Sequence, residues 1–386
     1  MGQPLRVLVL GAGFGGLEVT SRLAARFGDA VDVTLIDAAD SFIFGFSKLD
    51  VMFGRVPESH VAHAYRDLVE RPGARFVQAR IESIDPTSKQ VDTDAGTFDA
   101  DVLVVALGAN LDTSAVPGML EGGHEFYTVR GAFAVRDVLA NFDGGRVVIA
   151  VTSTPFKCPP APSETALLMH DFLQSRGLRE TSSITLVMPL PKPIPPSPAA
   201  SEALLAAFAE RGIDFVPDSL VRGLDAARQV ALIGDEVEMP YDLFLGVPRH
   251  VAPDVVVAAG MTVDGWIPVD PNTLETSFAD VYAVGDVTSV GTPKAGVFAE
   301  GQAAIVADRL AARIDGSPAA AEYDGRGICY VEFGDDTVGR VEVIFRPGQP
   351  PAGTFDAPTL DWAANKAEFG RSRVARWFGR EWTPLG

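Results

Sequence analysis

The sequence predicts an α/β protein with two Rossmann-like dinucleotide-binding units followed by a C-terminal segment. Three observations carry that expectation. An apolar strand, Leu5-Arg-Val-Leu-Val-Leu10, runs into Gly11-Ala-Gly-Phe-Gly-Gly16 and a helix-forming stretch, a strand-helix alternation restarts at Gly145, and a short apolar strand ends far downstream in Gly285-Asp286. The boundaries expected are 1–112 with 251–315 for the first unit, 113–250 for the second, and 316–386 for the C-terminal segment.

Arg6 to Leu10 is too apolar for a half-exposed strand and suits a central parallel one. Gly11, Gly13 and Gly16 then supply GxGxxG. The first glycine allows a tight turn, the second close backbone approach to a pyrophosphate, and the third close helix-strand packing. The helix expected from Leu17 to Phe27 points its positive end at that phosphate. The acid that the motif requires is Asp37, at the end of the strand Val31–Ile36.

Ser41 to Lys48 reads as an aromatic loop without cysteine. His60 and His63 lack a third ligand nearby, so they read as surface residues on a helix and no metal is expected. Arg75–Ile81 and Gln90–Thr93, around the turn Asp85–Lys89, read as an inserted antiparallel hairpin. Asp101 to Gly108 is a further buried strand, whose small terminal residues let a cofactor pass close to the backbone.

From Gly145 the pattern is strand Arg146–Val151, helix Ser163–Gln174, strand Ile184–Met188, helix Ser201–Glu210 and strand Ile213–Val216. A nicotinamide site needs a glycine cradle after the first strand and, for NAD, an acid closing the second. Thr152 to Pro162 replaces the cradle with a proline-rich loop, and Pro189 to Pro196 replaces the acid. Downstream, Asp280–Val287 ends in a carboxylate suited to accept hydrogen bonds from polyol hydroxyls, and a helix is expected from Gly301 to Arg313.

With 386 residues, 47% of them hydrophobic, the chain can bury real cores, and a net charge of −19 opposes nucleic-acid binding. No stretch approaches the roughly 20 apolar residues of a membrane span, and no export signal is read, so a cytoplasmic location is expected. In that compartment a pair formed by the two cysteines, Cys158 and Cys329, would be redox-active rather than structural. Cys158, next to Lys157 and just before the helix opening near Ser163, is expected to hold a reactive, low-pKa thiol. The tail Trp362 to Trp382 places Ala367, Val374, Trp377, Phe378 and Trp382 near one helical face with arginines around the rest. That pattern suits either an interfacial membrane helix or docking on the protein's own acidic body.

The N-terminal GxGxxG, the inserted second unit and Tyr282-Ala-Val-Gly-Asp286 resemble the two-dinucleotide-fold flavoproteins of the glutathione-reductase-like FAD fold. The segments Phe156-Lys-Cys-Pro-Pro-Ala-Pro162 and Gly327-Ile-Cys-Tyr-Val-Glu-Phe-Gly334 are similar to the cysteine segments of the sulfide:quinone oxidoreductases and the flavocytochrome c sulfide dehydrogenase flavoprotein. The resemblance implies FAD bound by Gly11, Gly13, Phe14, Gly15, Gly16, Asp37, Ala38, Ser47, Ile81, Ala106, Gly108, Gly285, Asp286 and Lys294. It implies a redox disulfide between Cys158 and Cys329, Glu164 as proton shuttle, and Lys294 near the flavin ring. Hydrosulfide would attack the disulfide, and the released thiolate would pass two electrons to the flavin.

The partners implied are a small sulfur substrate, a quinone acceptor, a second copy of the chain, and a membrane surface on the inner face of the cell met by the C-terminal helix. The chain differs from many quinone-reducing members in having Tyr127 where they carry a third cysteine, and Ser163 where a tyrosine is usual. Two alternatives share the layout: a type II NAD(P)H:quinone dehydrogenase and a non-enzymatic flavin redox sensor.

Overall fold

In the computed structural model, which describes residues 3–68, 72–235, 237–318 and 322–384, the chain begins with β1 (Leu5–Leu10), α1 (Phe14–Phe27), β2 (Val31–Asp37) and α2 (Gly45–Met52). β3 (Ala74–Gln78) and β4 (Val102–Val105) complete the first pass through this unit. The second unit contains β5 (Arg146–Val151), α3 (Ala161–Ser175), β6 (Ser183–Val187), α4 (Pro198–Glu210), β7 (Ile213–Val216) and β8 (Leu243–Val247). The chain then returns through β9 (Val281–Ala283) and α5 (Gly296–Asp315). It ends in β10 (Arg326–Gly334), β11 (Thr337–Ile344), β12 (Ala352–Thr359) and α6 (Leu360–Phe378).

The first sheet is parallel, in the order β9-β4-β1-β2-β3, with β1 central and Val7 to Leu10 almost fully buried. Burial on both faces explains its unbroken apolar run. The second parallel sheet places β8, β5, β6 and β7 side by side, with the short strand His124–Glu125 at its edge. Asn110–Asp112 pairs antiparallel with Arg249–Val251 where the chain leaves and re-enters the first unit. β10, β11 and β12 form an antiparallel sheet; α3 packs on β10, and α6 packs on β11.

Several local expectations are corrected. Helices α1, α3, α4 and α5 begin at Phe14, Ala161, Pro198 and Gly296, earlier than read, because prolines and glycines are tolerated in a first turn whose N–H groups lack helical partners. Ser41 to Lys48 is only partly loop, since Gly45 already opens α2. Ala74–Gln78 joins the parallel sheet beside β2, and the antiparallel insertion is instead a three-stranded sheet of Ile81–Asp85, Gln90–Thr93 and Gly96–Asp99. His63 is not a surface residue but fully buried in a short strand, among Phe42, Phe44, Phe378 and Trp382.

The tail docks on the protein's own body. Trp377 is 0% exposed and Trp382 8%, and the Trp377 indole donates to Glu18 of α1 at 2.8 Å. Arg376 bridges Glu18 and Glu300, and Arg373 also reaches Glu300. Of the two coverings that the apolar face suited, it takes the protein's own body, where Ala367, Val374, Trp377, Phe378 and Trp382 are all buried. Among the described residues no helix is long and apolar enough to cross a membrane.

Candidate active site

The glycine turn has the geometry its spacing suggests. Gly11 has φ +95°, and a Cβ there would lie 2.5 Å from the Ala106 carbonyl oxygen. A Cβ on Gly16 would lie 1.9 Å from the carbonyl oxygen of Gly11. Gly13 differs, because a Cβ there would meet nothing within 4 Å. Two glycines thus serve packing, and the third faces open space at the N-terminus of α1, whose first turn no side chain caps. Free amides, a helix dipole and room suit a pyrophosphate. Asp37 accepts the Ala12 amide at 2.7 Å and that of Ala39 at 2.8 Å, which fixes the end of β2 beside the turn.

One cavity of about 300 Å³ gathers most of the expected site. Gly13, Phe14, Gly15, Ala106, Gly108, Cys158, Glu164, Gly285, Asp286 and Cys329 line it. Gly11, Gly16, Asp37, Ala38, Ser47, Ile81 and Lys294 do not. Gly11 and Gly16 act inside the turn, and Ser47 is 1% exposed within α2. Ile81 packs on a separate apolar cluster with Ala79 and Ile84.

Lys294 turns its ammonium away, 3.2 Å above the Trp266 ring, and donates to the carbonyls of Asp286 (2.6 Å) and Thr288 (3.3 Å). Burial lowers its pKa to about 8. Its backbone serves the site instead: the Lys294 carbonyl accepts the Cys158 amide at 2.7 Å.

Cys158 and Cys329 come from loop and strand more than 150 positions apart, yet both open on this cavity as unbonded thiols. Cys158 has φ +48°, a left-handed conformation costly for a side-chain-bearing residue, and its carbonyl accepts the Ala161 amide at the start of α3. The expected low thiol pKa is corrected. Burial, then the Glu164 charge, then Cys329, push Cys158 well above the usual thiol range, and Lys48 only partly offsets them. Burial and Glu164 raise Cys329 to about 12. Desolvation outweighs the helix end and Lys157, whose ammonium donates instead to the Ala109 carbonyl at 3.0 Å.

Glu164, in the first turn of α3, is 4% exposed; burial drives its pKa up to about 7, with Lys366 opposing and Glu332 reinforcing. A carboxyl poised there can both take and return a proton near neutral pH. Sequence reasoning missed Lys48, Phe46, Phe369 and Lys366, all of which line the cavity. Lys48 donates to the Tyr127 carbonyl, and burial followed by Lys157 lowers it to about 8. Lys366 and Phe369, three positions apart on α6, both reach the cavity, whereas the sequence reading of this helix named only Ala367, Val374, Trp377, Phe378 and Trp382 and passed them over.

The chain matches the pyridine nucleotide-disulphide oxidoreductase family over residues 5–305. It is 24% identical to the mitochondrial sulfide:quinone oxidoreductase of Mus musculus over 86% of this chain and 76% of that protein. The structure of the Aquifex aeolicus sulfide:quinone oxidoreductase superposes with a TM-score of 0.83 at 22% identity, covering 97% of this chain and 92% of that one. A type II NADH:quinone oxidoreductase of Staphylococcus saprophyticus is 28% identical over 49% of this chain and 50% of its own length. The match over residues 5–305 makes the chain a member of the pyridine nucleotide-disulphide oxidoreductase family and an FAD-dependent oxidoreductase, and its one cavity brings a glycine cradle together with two thiols.

Proposed function

We propose that this protein oxidises sulfide, or a related small thiol or persulfide, through Cys158 and Cys329 and delivers the electrons by way of FAD to a quinone. The observation that carries the reading is the meeting of both sulfurs and Glu164 in the cavity that begins at the Gly13 turn. The relatives named as sulfide:quinone oxidoreductases, matched over most of the chain, support the same substrates.

The Gly11–Gly16 turn and the α1 N-terminus would hold the FAD pyrophosphate, Asp37 the ribose end and Asp286 the ribitol hydroxyls. Bound FAD supplies a two-electron carrier between donor and acceptor. The protein's own part is thiol exchange. With the cysteines paired, hydrosulfide breaks their S–S bond; one sulfur keeps the added sulfur as a persulfide, and the other leaves as a thiolate with the electron pair. Lys48 favours a thiolate at Cys158 against desolvation, and Glu164 takes or returns the proton. Phe46, Tyr330 and Phe369 line the cavity with aromatic surface suited to a planar quinone.

An anaerobic titration tests this. Sulfide should bleach the flavin and a quinone analogue should restore it. A flavin that ignores sulfide but is bleached at once by NADH would instead favour the type II dehydrogenase reading.

A further inference from the structure

Glu332, on β10 beyond Cys329, is the centre of a buried ionic cluster. Its carboxylate accepts from Lys366 of α6 at one oxygen and from Arg55 at the other, the latter at 2.7 Å. Arg55 also reaches Asp50 of α2 at 3.4 Å. The Glu332 amide donates to the Glu164 carboxylate at 3.0 Å, which joins the cluster to the cavity. Asp50, Glu164, Glu332 and Lys366 are each under a tenth exposed.

Charge counting gives this cluster a consequence. The cations Arg55 and Lys366 face the carboxyl groups of Asp50, Glu164 and Glu332, so full ionisation strands one negative charge in a poorly solvated interior. Protonating one carboxyl relieves that cost. Glu332 holds both cations and keeps its charge: burial opposes ionisation, but Lys366 and Arg55 pull its pKa below the ordinary value. The proton therefore falls to Asp50 or Glu164, both raised by burial. The titratable groups facing Glu164 are Cys158 before its own helix, Cys329 and Glu332 on β10, Lys366 on α6, Asp50 on α2, and Tyr127.

We propose that Lys366, carried in by the C-terminal helix, is a positioning residue that sets the charge state of Glu164 through the Glu332 ion pair. This rests on the reading of Glu164 as the group that handles protons, and it gives α6 a role in the chemistry beyond packing. Removing Lys366 leaves Arg55 against all three carboxyls, so Glu164 holds its proton to higher pH. Removing the Glu332 charge leaves two cations against two carboxylates, so Glu164 ionises more readily. The two changes act in opposite directions, which loss of packing alone does not produce.

The test is an infrared pH titration of the FAD-loaded enzyme without sulfide or quinone, following the protonated-carboxyl band that Glu164→Gln abolishes. Lys366→Gln should raise its midpoint by about one pH unit, a tenfold change in proton affinity, and Glu332→Gln should lower it by a similar amount. Lys366→Arg should restore the wild-type midpoint. Unchanged midpoints, or shifts of the same sign in both glutamine variants, would overturn the proposal. Glu332→Gln leaves the cluster charge-balanced, so if Lys366→Gln does not fold, a downward shift or none in Glu332→Gln decides alone. Since no substrate is present, a wrong donor or acceptor assignment leaves this readout intact.

Discussion

The amide of Cys158 donates to the carbonyl of Lys294 at 2.7 Å, tying the thiol-bearing loop of the second unit to the segment that leads into α5 of the first. A thiol-bearing loop of one unit is thereby held against the other, and the lysine that does this uses its backbone while its ammonium faces Trp266. Replacing Lys294 with Met should therefore leave the flavin content and the sulfide-reduction rate within about threefold of wild type while lowering stability through loss of the contacts to Trp266, Asp286 and Thr288. Flavin absorbance, stopped-flow bleaching and thermal unfolding on one preparation separate the two effects.

The glycines of the turn should fail in different ways. Gly16→Ala drives a Cβ to 1.9 Å from the Gly11 carbonyl oxygen, so both folding and flavin retention should suffer. Gly13→Ala meets nothing within 4 Å, so the polypeptide should keep its unfolding temperature while flavin binding weakens at least tenfold. Reconstitution of apoprotein with FAD, followed by fluorescence, measures the difference.

His63 gives a pH dependence of defined sign. Burial, then the Arg380 charge, lowers its pKa to about 4 from 6.5, so between those values the unfolded chain binds the proton that the folded one refuses. Stability is complete above about pH 6.5 and falls as the pH drops toward 4, by on the order of 2 kcal/mol with allowance for solvent screening. His63→Phe, which suits the surrounding aromatic rings, should flatten this limb in urea denaturation at successive pH values. An unchanged slope would mean that the buried imidazole does not carry the effect.

Trp377→Ala should cost about 3–5 kcal/mol, because a fully buried indole is removed and Glu18 loses one of its hydrogen-bond donors. Equilibrium denaturation measures this. A cost below about 1 kcal/mol would show that the C-terminal helix is not docked as described.

How much of this could be read in advance follows from what each signal depends on. Gly11 to Gly16 and Gly285-Asp286 were legible because backbone conformation and close approach restrict the residues allowed there. The tail stayed open between lipid and the protein's own body for a different reason: an apolar stripe of Val374, Trp377 and Trp382 has the same periodicity whichever covers it, and only the tertiary contacts choose. His63 looked exposed because a histidine without metal partners usually is, yet aromatic neighbours distant in sequence enclose it. The thiol of Cys158 was misjudged because Lys157 and a helix end are local features, whereas the desolvation that opposes them comes from the whole fold. Lys366 escaped notice for the same reason, since its partner Glu332 lies on another element.

The central claim is that two distant sulfurs act as one redox pair, and substituting each cysteine in turn tests it most directly. Cys158→Ser and Cys329→Ser should each retain FAD and its visible spectrum but lose reduction by sulfide, with anaerobic stopped-flow rates at least 100-fold below wild type. Bleaching at the wild-type rate in either variant would contradict the account.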